Sequence, residues 1–323
     1  MRLLSSAAIA SVLLLATSLS AATPKVRRGP TAPRVVKPAP KPKASAMSID
    51  PERATQIQTA LIKAGYMTGT PSGTWDAPTQ AAMEKLQSDN GWQTKLVPDS
   101  RAIIKLGLGS STTSASDLHL LIDELNVGPV HLTGQDISGA SVFRLAARHP
   151  EDVLSFTAIE MGLPGFGLER LADITHGGSW HIGVLATPGI TEMLLAGRER
   201  EFLGQFAFPA MNATPGAITD TDIDEFVRTY SRPDGWRGAI GLYQSMLHEG
   251  EEVVSLVAGH KLNTPVLAIG AGGGEFTLAT MSQVSSVPVQ SVMLEGVGHY
   301  AALEVPDKVA HALLDFFKTV DAT

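Results

Sequence analysis

Apolar residues recur at helical spacing in three short segments between residues 50 and 109. In RATQIQTALIKAGY the inward positions are Ile57, Ala60, Leu61 and Ala64. In APTQAAMEKLQSDNGW they are Ala82, Met83 and Leu86. A third helix is predicted in VPDSRAIIKLGLG, with Asp99 or Ser100 as its cap and glycines at its end. The pattern predicts a small all-α module of three helices.

From Asp117 onward the pattern alternates between helix and strand. The segment DLHLLIDELNV predicts a helix with Leu118, Leu121, Ile122 and Leu125 on one face. Four apolar runs predict strands: PVHLTG, VLSFTAIEM, TPVLAIG and VQSVMLEG. DKVAHALLDFF predicts a final amphipathic helix, and a long, mostly helical insertion separates the second and third strands. This alternation predicts an α/β domain with a parallel sheet and a helical cap.

The two patterns divide the chain into segments of different character. Residues 1–22 read as a signal peptide, because Arg2 precedes a short apolar run and small residues that suit cleavage after Ala22. Residues 23–49 are a Pro-, Lys- and Arg-rich linker. We expect the helical module at residues 50–109, a flexible Ser/Thr-rich joint at 110–116 and the α/β domain at 117–323, with its cap at about 165–262.

Charge and cysteine content narrow the function classes. Residues 1–49 hold eight of the 25 basic residues and no acidic one, which leaves 17 basic against 32 acidic residues beyond them, a net charge of −15. An acidic folded part makes nucleic acid an unexpected partner. The chain has no cysteine, so disulfides, thiol nucleophiles and thiolate metal sites are excluded. We expect an exported protein of the periplasm or cell envelope, with no stable membrane span once the signal is cleaved.

The turn in HLTGQDISGASVF raises the question of a nucleophile. A predicted strand runs into GQDISG and then a helix, which is the strand–turn–helix pattern of a nucleophile elbow with Asp136 at its apex. A carboxylate there can attack carbon and form an ester. The alternative is that Asp136 only caps the helix. His299 lies in a loop after the last predicted strand, and its place in the chain suits the catalytic base of such a site.

Residues 50–109 resemble the peptidoglycan-binding domain that accompanies many cell-wall hydrolases. The stretches that carry the resemblance are IQTALIKAGY, TPSG with the following Trp75, TQAAMEKLQSDNG and PDSRAIIKLGLG. The resemblance implies a groove for a peptidoglycan fragment. The alternative is a small folding module that binds nothing, because a fold does not by itself imply a ligand.

Residues 117–320 resemble an α/β-hydrolase of the epoxide hydrolase type. The resemblance runs through the elbow, IEMGLPGFG, the cap segments around SWHIG and GLYQSM, and GVGHYAALEVPDKV. It implies that Asp136 is the nucleophile, that His299 activates water, and that the cap donates a proton to the epoxide oxygen. Tyr243 matches one cap tyrosine. His181 stands where the family has the other, and a protonated histidine can also donate.

The orienting acid is left open between Glu160 and Glu275, and Glu160 is favoured because IEMGLPG matches a family strand end. The sequence also departs from the family upstream of the elbow. The His-Gly-x-Pro loop, which supplies an oxyanion-hole donor, and the early strands of the sheet have no counterpart, because the helical module occupies that place. We therefore expect a partial α/β-hydrolase sheet.

These features predict an exported, cell-wall-associated hydrolase, epoxide-hydrolase-like, with weak or lost activity. Peptidoglycan and an epoxide are the expected partner and substrate, and no cofactor or metal is expected. The competing hypothesis is a non-catalytic peptidoglycan-binding protein that carries a hydrolase remnant. A third possibility is a fusion of two halves with no single function.

Overall fold

The computed structural model describes residues 49, 51–95, 97–187 and 189–322 of the chain. The predicted signal peptide and almost all of the predicted linker lie outside these residues. Within them, no helix combines the length and the apolar character that crossing a bilayer requires.

The helical module contains three helices around a small apolar core. They are α1 (Pro51–Lys63), α2 (Ala77–Asp89) and α3 (Ser100–Lys105). The buried core residues are Ile57, Leu61, Ala82, Met83, Leu86 and Ala102. Asp99, not Ser100, caps α3, because its side chain accepts from the Arg101 N–H. Ala64, predicted to face inward, is exposed because α1 ends before it at Lys63.

The predicted joint is helical. Helix α4 (Ser110–Leu125) begins at the first joint residue, and the side chains of Ser111 and Thr112 are buried. Ser111 is held by the fully buried Arg144, whose Nε donates to the serine oxygen at 2.9 Å. A Ser/Thr-rich segment predicts flexibility only where its hydroxyls face water. Here buried hydrogen bonds order it, so the expectation of a flexible joint is corrected.

Four parallel strands form the sheet in the order of the sequence. They are β1 (Val130–Gln135), β2 (Val153–Ile159), β3 (Val266–Gly270) and β4 (Val289–Met293). Helix α5 (Gly139–Arg148) follows the elbow. Alternate residues of β3 enter two different cores, with Ala268 in one and Ile269 in the other. Both faces of this strand are therefore covered, as is usual for strands of parallel sheets.

A helical cap lies between β2 and β3. Its helices are α6 (Trp180–Ala186), α7 (Ile190–Leu195), α8 (Glu199–Glu201), α9 (Phe208–Met211), α10 (Asp220–Tyr230) and α11 (Arg237–His248). The next helix, α12 (Gly250–Gly259), falls inside the predicted cap but packs Val253 and Val257 into the core beneath the sheet. The cap has its own apolar core, which includes Phe202, Phe208 and Trp236.

Three further helices complete the α/β domain: α13 (Phe276–Val284), α14 (Ala301–Glu304) and α15 (Pro306–Asp321). The carboxyl ends of all four parallel strands meet at one edge of the sheet. The turns after β1 and β2 and the loop after β4 therefore converge there, beneath the cap. The predicted fold class, a helical module followed by a partial α/β-hydrolase sheet with a helical cap, is confirmed.

Candidate active site

Asp136 sits at a sharp turn directly after β1. Its φ of 51° lies in the left-handed region, which few non-glycine residues adopt. A Cβ on Gly134 would collide with Val142, and one on Gly139 would push the end of the Met161 side chain aside, so the turn is crowded at both glycines. The Ser138 hydroxyl donates to the Gln135 carbonyl at 2.6 Å. The local geometry is that of the predicted elbow, with the Asp136 carboxylate presented above the strand end.

Glu160 follows β2 in the same way, also with a positive φ, here 46°. Its side chain is 1% exposed, and its two oxygens accept the N–H groups of Ala271 at 2.5 Å and of Gly273 at 2.8 Å. A buried carboxylate that accepts two backbone hydrogen bonds is held in one orientation. Glu160 is therefore fixed as an acceptor at the strand edge.

His299 lies between these two carboxylates. Its Nδ1 is 3.3 Å from Glu160 Oε2, and its Nε2 is 3.4 Å from Asp136 Oδ1. Two backbone contacts place the ring: the His299 N–H donates to Met211 O at 2.8 Å, and Gln135 Nε2 donates to the His299 carbonyl at 3.1 Å. The structure thus brings three of the predicted site residues into a line of carboxylate, imidazole and carboxylate.

The two carboxylates control the charge of the imidazole. Burial lowers the pKa of His299, but hydrogen bonds and charges from Asp136 and Glu160 outweigh this effect and raise the pKa to about 10. The imidazole is therefore protonated at neutral pH. Loss of either negative charge would lower the pKa again.

Glu275, the other candidate for the orienting acid, is exposed and occupies the N-cap of α13. Only Glu160, of these two, contacts His299.

The two predicted proton donors lie together in the cap above Asp136. The rings of His181 on α6 and Tyr243 on α11 meet edge to face, with centroids 5.9 Å apart. Burial raises the pKa of Tyr243 well above its usual value, and the charge of Asp136 adds to the rise. Burial lowers the pKa of His181. At neutral pH both groups are neutral donors, so His181 would donate from a neutral ring and not as the imidazolium that the sequence suggested.

Two adjoining cavities, of about 430 and 350 Å³, meet at these side chains. Both are lined by Asp136, His181 and Tyr243, and the smaller one also reaches Glu160 and His299. The larger one extends beneath the cap between aromatic and aliphatic side chains, among them Trp180, Phe202, Phe206, Phe226 and Trp236. A neutral, mostly apolar molecule of modest size suits this space.

Two residues at this site had no role in the sequence prediction. Tyr300 lines the larger cavity and packs edge to face against both His299 and Phe208. Gln135 orients the His299 carbonyl, as described above. Tyr300 and Gln135 are neighbours of His299 and Asp136 in the chain, which suggested that they lie near the site. The sequence does not show which way their side chains point.

The Ile137 N–H, directly after the nucleophile position, is one oxyanion-hole donor of an elbow. Within the described residues β1 is an edge strand that pairs only with β2, so no neighbouring strand brings a second backbone donor to this side of Asp136. The geometry supports a half-formed oxyanion hole.

A separate groove of about 910 Å³ lies between the helical module and the α/β domain. The module contributes Trp92, Arg101 and Lys105, and the facing wall carries Glu169 and Glu251. The Arg101 guanidinium lies 5.4 Å from the centre of the Trp92 ring. An aromatic surface with cations on one wall and carboxylates on the other suits a zwitterionic peptide.

Comparison with known proteins separates the same two parts. Residues 51–94 match the peptidoglycan binding domain family. The chain is 26% identical over 244 residues to the soluble epoxide hydrolase of Corynebacterium sp. (strain C12), a match that takes in 69% of this chain and 80% of the relative.

Solved structures agree with this division. The epoxide hydrolase CorEH, without ligand, superposes with a TM-score of 0.57 at 25% identity over 66% of this chain and 76% of its own. The Cif epoxide hydrolase from Acinetobacter nosocomialis shares the fold, with a TM-score of 0.59 at 20% identity over 64% of this chain and 67% of its own. The resemblances predicted from the sequence are confirmed: the chain carries a peptidoglycan-binding domain and an epoxide-hydrolase-like α/β-hydrolase fold.

Proposed function

We propose that this protein hydrolyses a small apolar epoxide to a vicinal diol at the cell envelope. The observation that carries the proposal is the line Asp136–His299–Glu160 at one end of a cavity whose other wall holds His181 and Tyr243. An anionic nucleophile, a base and two neutral proton donors are the groups that ring opening and ester hydrolysis need.

Ring opening is the first step. An Asp136 carboxylate oxygen attacks one epoxide carbon, a C–O bond of the ring breaks, and the released oxygen takes a proton from Tyr243 or His181. The product is a hydroxyalkyl ester on Asp136. The protonated His299 lies 3.4 Å from Asp136, and its positive charge can stabilise the attacking carboxylate.

Ester hydrolysis is the second step. Once Asp136 is esterified its charge is gone, so the pKa of His299 falls and the ring can release its proton to the ionised donor in the cap. The neutral His299 then takes a proton from water, whose oxygen attacks the ester carbonyl carbon, and Glu160 stabilises the imidazolium that forms. The tetrahedral intermediate collapses, the alkoxide takes the proton from His299, and the diol leaves. The net change is epoxide plus water to diol.

The position of oxygen taken up from water distinguishes hydrolysis at the ester carbonyl carbon from direct attack of water on the epoxide. In a single turnover in H₂¹⁸O, the heavy oxygen should appear in Asp136 and not in the diol. Mass spectrometry of the diol and of the peptide that contains Asp136 reads this out. Label in the first-turnover diol would contradict an ester intermediate.

The proposed activity is slow. The Ile137 N–H is the one oxyanion donor that the elbow itself would offer to the ester carbonyl oxygen. Among the described residues no strand beside β1 adds a second donor. Loss of one oxyanion donor typically lowers the rate by a factor on the order of 10²–10³. The competing function, a peptidoglycan-binding protein with an inactive hydrolase half, is favoured by this same feature, and absence of diol formation across a panel of apolar epoxides would support it.

The module would hold the enzyme at peptidoglycan. The family match over residues 51–94 supports this assignment, and the groove that contains Trp92 and Arg101 supplies a surface for the peptide stem. Export through a cleaved signal at residues 1–22, with 23–49 as the spacer, is part of the same proposal. Pull-down with insoluble peptidoglycan tests it: the mature chain should sediment with the polymer, a Trp92→Ala variant should do so less, and equal recovery without polymer would remove the assignment.

A further inference from the structure

A second cluster of titratable side chains lies at the opposite end of the sheet from Asp136. His119 on α4, His149 at the end of α5 and Asp152 just before β2 each offer one ligand atom, and these three atoms all lie within 4.8 Å of one another. The two imidazole rings stack, with centroids 3.8 Å apart and planes at 14°. His119 Nδ1 is 2.6 Å from Asp152 Oδ2. Nothing in the proposed hydrolysis uses these groups.

Further carboxylates surround the cluster. Asp123 lies one helical turn after His119, with Oδ2 3.8 Å from its Nε2, and Glu151 Oε1 lies 3.4 Å from His149 Nδ1. Two imidazoles that would be neutral as ligands therefore face three carboxylates. This cluster attracts a cation, because its carboxylates outnumber its imidazoles.

The backbone holds two of the three donors in place. The His149 N–H donates to Leu145 O at 2.8 Å and ends α5, and the Asp152 N–H donates to His149 O at 3.0 Å. The carboxylate of Asp152 is only 12% exposed. A single tight turn thus presents a nitrogen and an oxygen ligand at i and i+3, and α4 brings the second nitrogen.

We propose that His119, His149 and Asp152 bind a divalent transition-metal ion of the Zn²⁺ type. Two imidazole nitrogens and one carboxylate oxygen, with water in a fourth position, are a ligand set that Zn²⁺ accepts. Zn–N and Zn–O bonds of about 2.0–2.2 Å place tetrahedral ligand atoms roughly 3.3 Å apart. The ion would replace the hydrogen bond of 2.6 Å between His119 and Asp152, and the two stacked rings would turn so that both nitrogens point at it. The ion would tie α4 to the turn that enters β2.

Metal titration tests this proposal on the full-length protein stripped with a chelator. Co²⁺ should bind with one equivalent per chain and give the visible absorption of a four- or five-coordinate site, and Zn²⁺ should displace it. Zn²⁺ should also raise the melting temperature, because it binds the folded state only. His119→Ala and, as a milder change, His119→Asn should abolish both effects.

His176 supplies a matched control. It forms a similar ion pair, with Nδ1 2.7 Å from Asp173 Oδ2, but it lies in an exposed turn outside the cluster. His176→Ala should leave the stoichiometry and the melting shift unchanged. Binding that survives in both His119 variants, or no Co²⁺ absorption in the parent protein at millimolar metal, would overturn the proposal.

Discussion

The role of Glu160 depends on where the folded backbone places its carboxylate, and the sequence does not show this. A glutamate in the left-handed region is strained, and at this position the strain aims a buried carboxylate at both His299 and the backbone of the loop after β3. The structure therefore distinguishes it from Glu275, which only begins a helix in solvent.

Substitution of Glu160 by Gln should slow ester hydrolysis by a factor on the order of 10²–10⁴, because the charge that stabilises the imidazolium is lost. It should also destabilise the fold, since one of the two backbone N–H groups bound to Glu160 loses its acceptor. Glu275→Gln is the matched control and should leave both properties unchanged. Single-turnover kinetics and urea unfolding measure the two effects, and equal kinetics in the two variants would remove Glu160 from the site.

The next prediction concerns the two proposed proton donors, Tyr243 and His181. Tyr243→Phe should slow ring opening by about tenfold or more, because the phenol donates its proton when the epoxide oxygen leaves. Ester hydrolysis should slow less, because the proton that His299 then releases can also pass to solvent. Burst-phase kinetics separate the two steps. A Tyr243→Phe protein that opens the ring at the parental rate would assign the proton to His181 alone.

His299 also links stability to pH. Its pKa is about 6.5 in an unfolded chain and is raised to about 10 in the folded protein, so its contribution is fully present below about pH 6.5 and is lost as the pH rises towards 10. Between pH 7 and 10 the free energy of unfolding of the parent should fall more than that of His299→Gln. Urea denaturation at three pH values checks this, and parallel curves would show that the folded pKa is not raised.

The sequence indicated the Asp136 elbow and the position of His299, because both follow from local turn chemistry and chain order. It left the acid open, because the choice between Glu160 and Glu275 depends on which strand end faces the histidine loop. The stacked pair of His119 and His149 was invisible for the same reason, since the two residues lie thirty positions apart and meet only when α4 packs against α5.

At the scale of elements, a buried ion pair joins α4, α5 and the turn between α11 and α12. Arg144 is fully buried and donates to Glu249 at 2.9 Å, to Glu252 at 2.8 Å and to Ser111. This network fixes the segment that links the helical module to the α/β domain.

Replacement of Arg144 should strongly destabilise the fold. Arg144→Ala should lower the free energy of unfolding by about 3–5 kcal/mol, because it leaves the buried Glu249 carboxylate without its cation. Arg148, which reaches Glu252 from a partly exposed position at 3.2 Å, is the control, and its replacement by Ala should cost no more than about 1 kcal/mol. Chemical denaturation compares the two, and similar small losses would show that the pair is not a buried anchor.

Helix α4 shows that apolar spacing can predict a helix without predicting which of its residues are buried. Of its four predicted inward residues, Leu118 and Ile122 pack against the core, but Leu121 and Leu125 are more than half exposed. The spacing predicted the helix correctly. It did not predict burial, because apolar spacing does not show how much of a helix face packs against other elements.

At the scale of the molecule, the side chains of the proposed site are together, but the sheet around them is only partial. The line of Asp136, His299 and Glu160, the two cap side chains and the apolar cavity lie together. Within the part of the chain that the structure describes, the sheet ends at β1, the strand that leads into Asp136. Ring opening does not use an oxyanion hole, so we expect the ester on Asp136 to form. Hydrolysis of that ester is the step that a missing oxyanion donor would slow.

The most direct measurement is to trap that ester in His299→Gln, which keeps the nucleophile and lacks the base. After incubation with an apolar epoxide, intact mass spectrometry should show one added epoxide mass, located on Asp136 in the tryptic peptide that ends at Arg144. The same protein with Asp136→Ala should show no adduct. Diol formation without any adduct in His299→Gln, or an adduct that persists when Asp136 is replaced, would contradict the account.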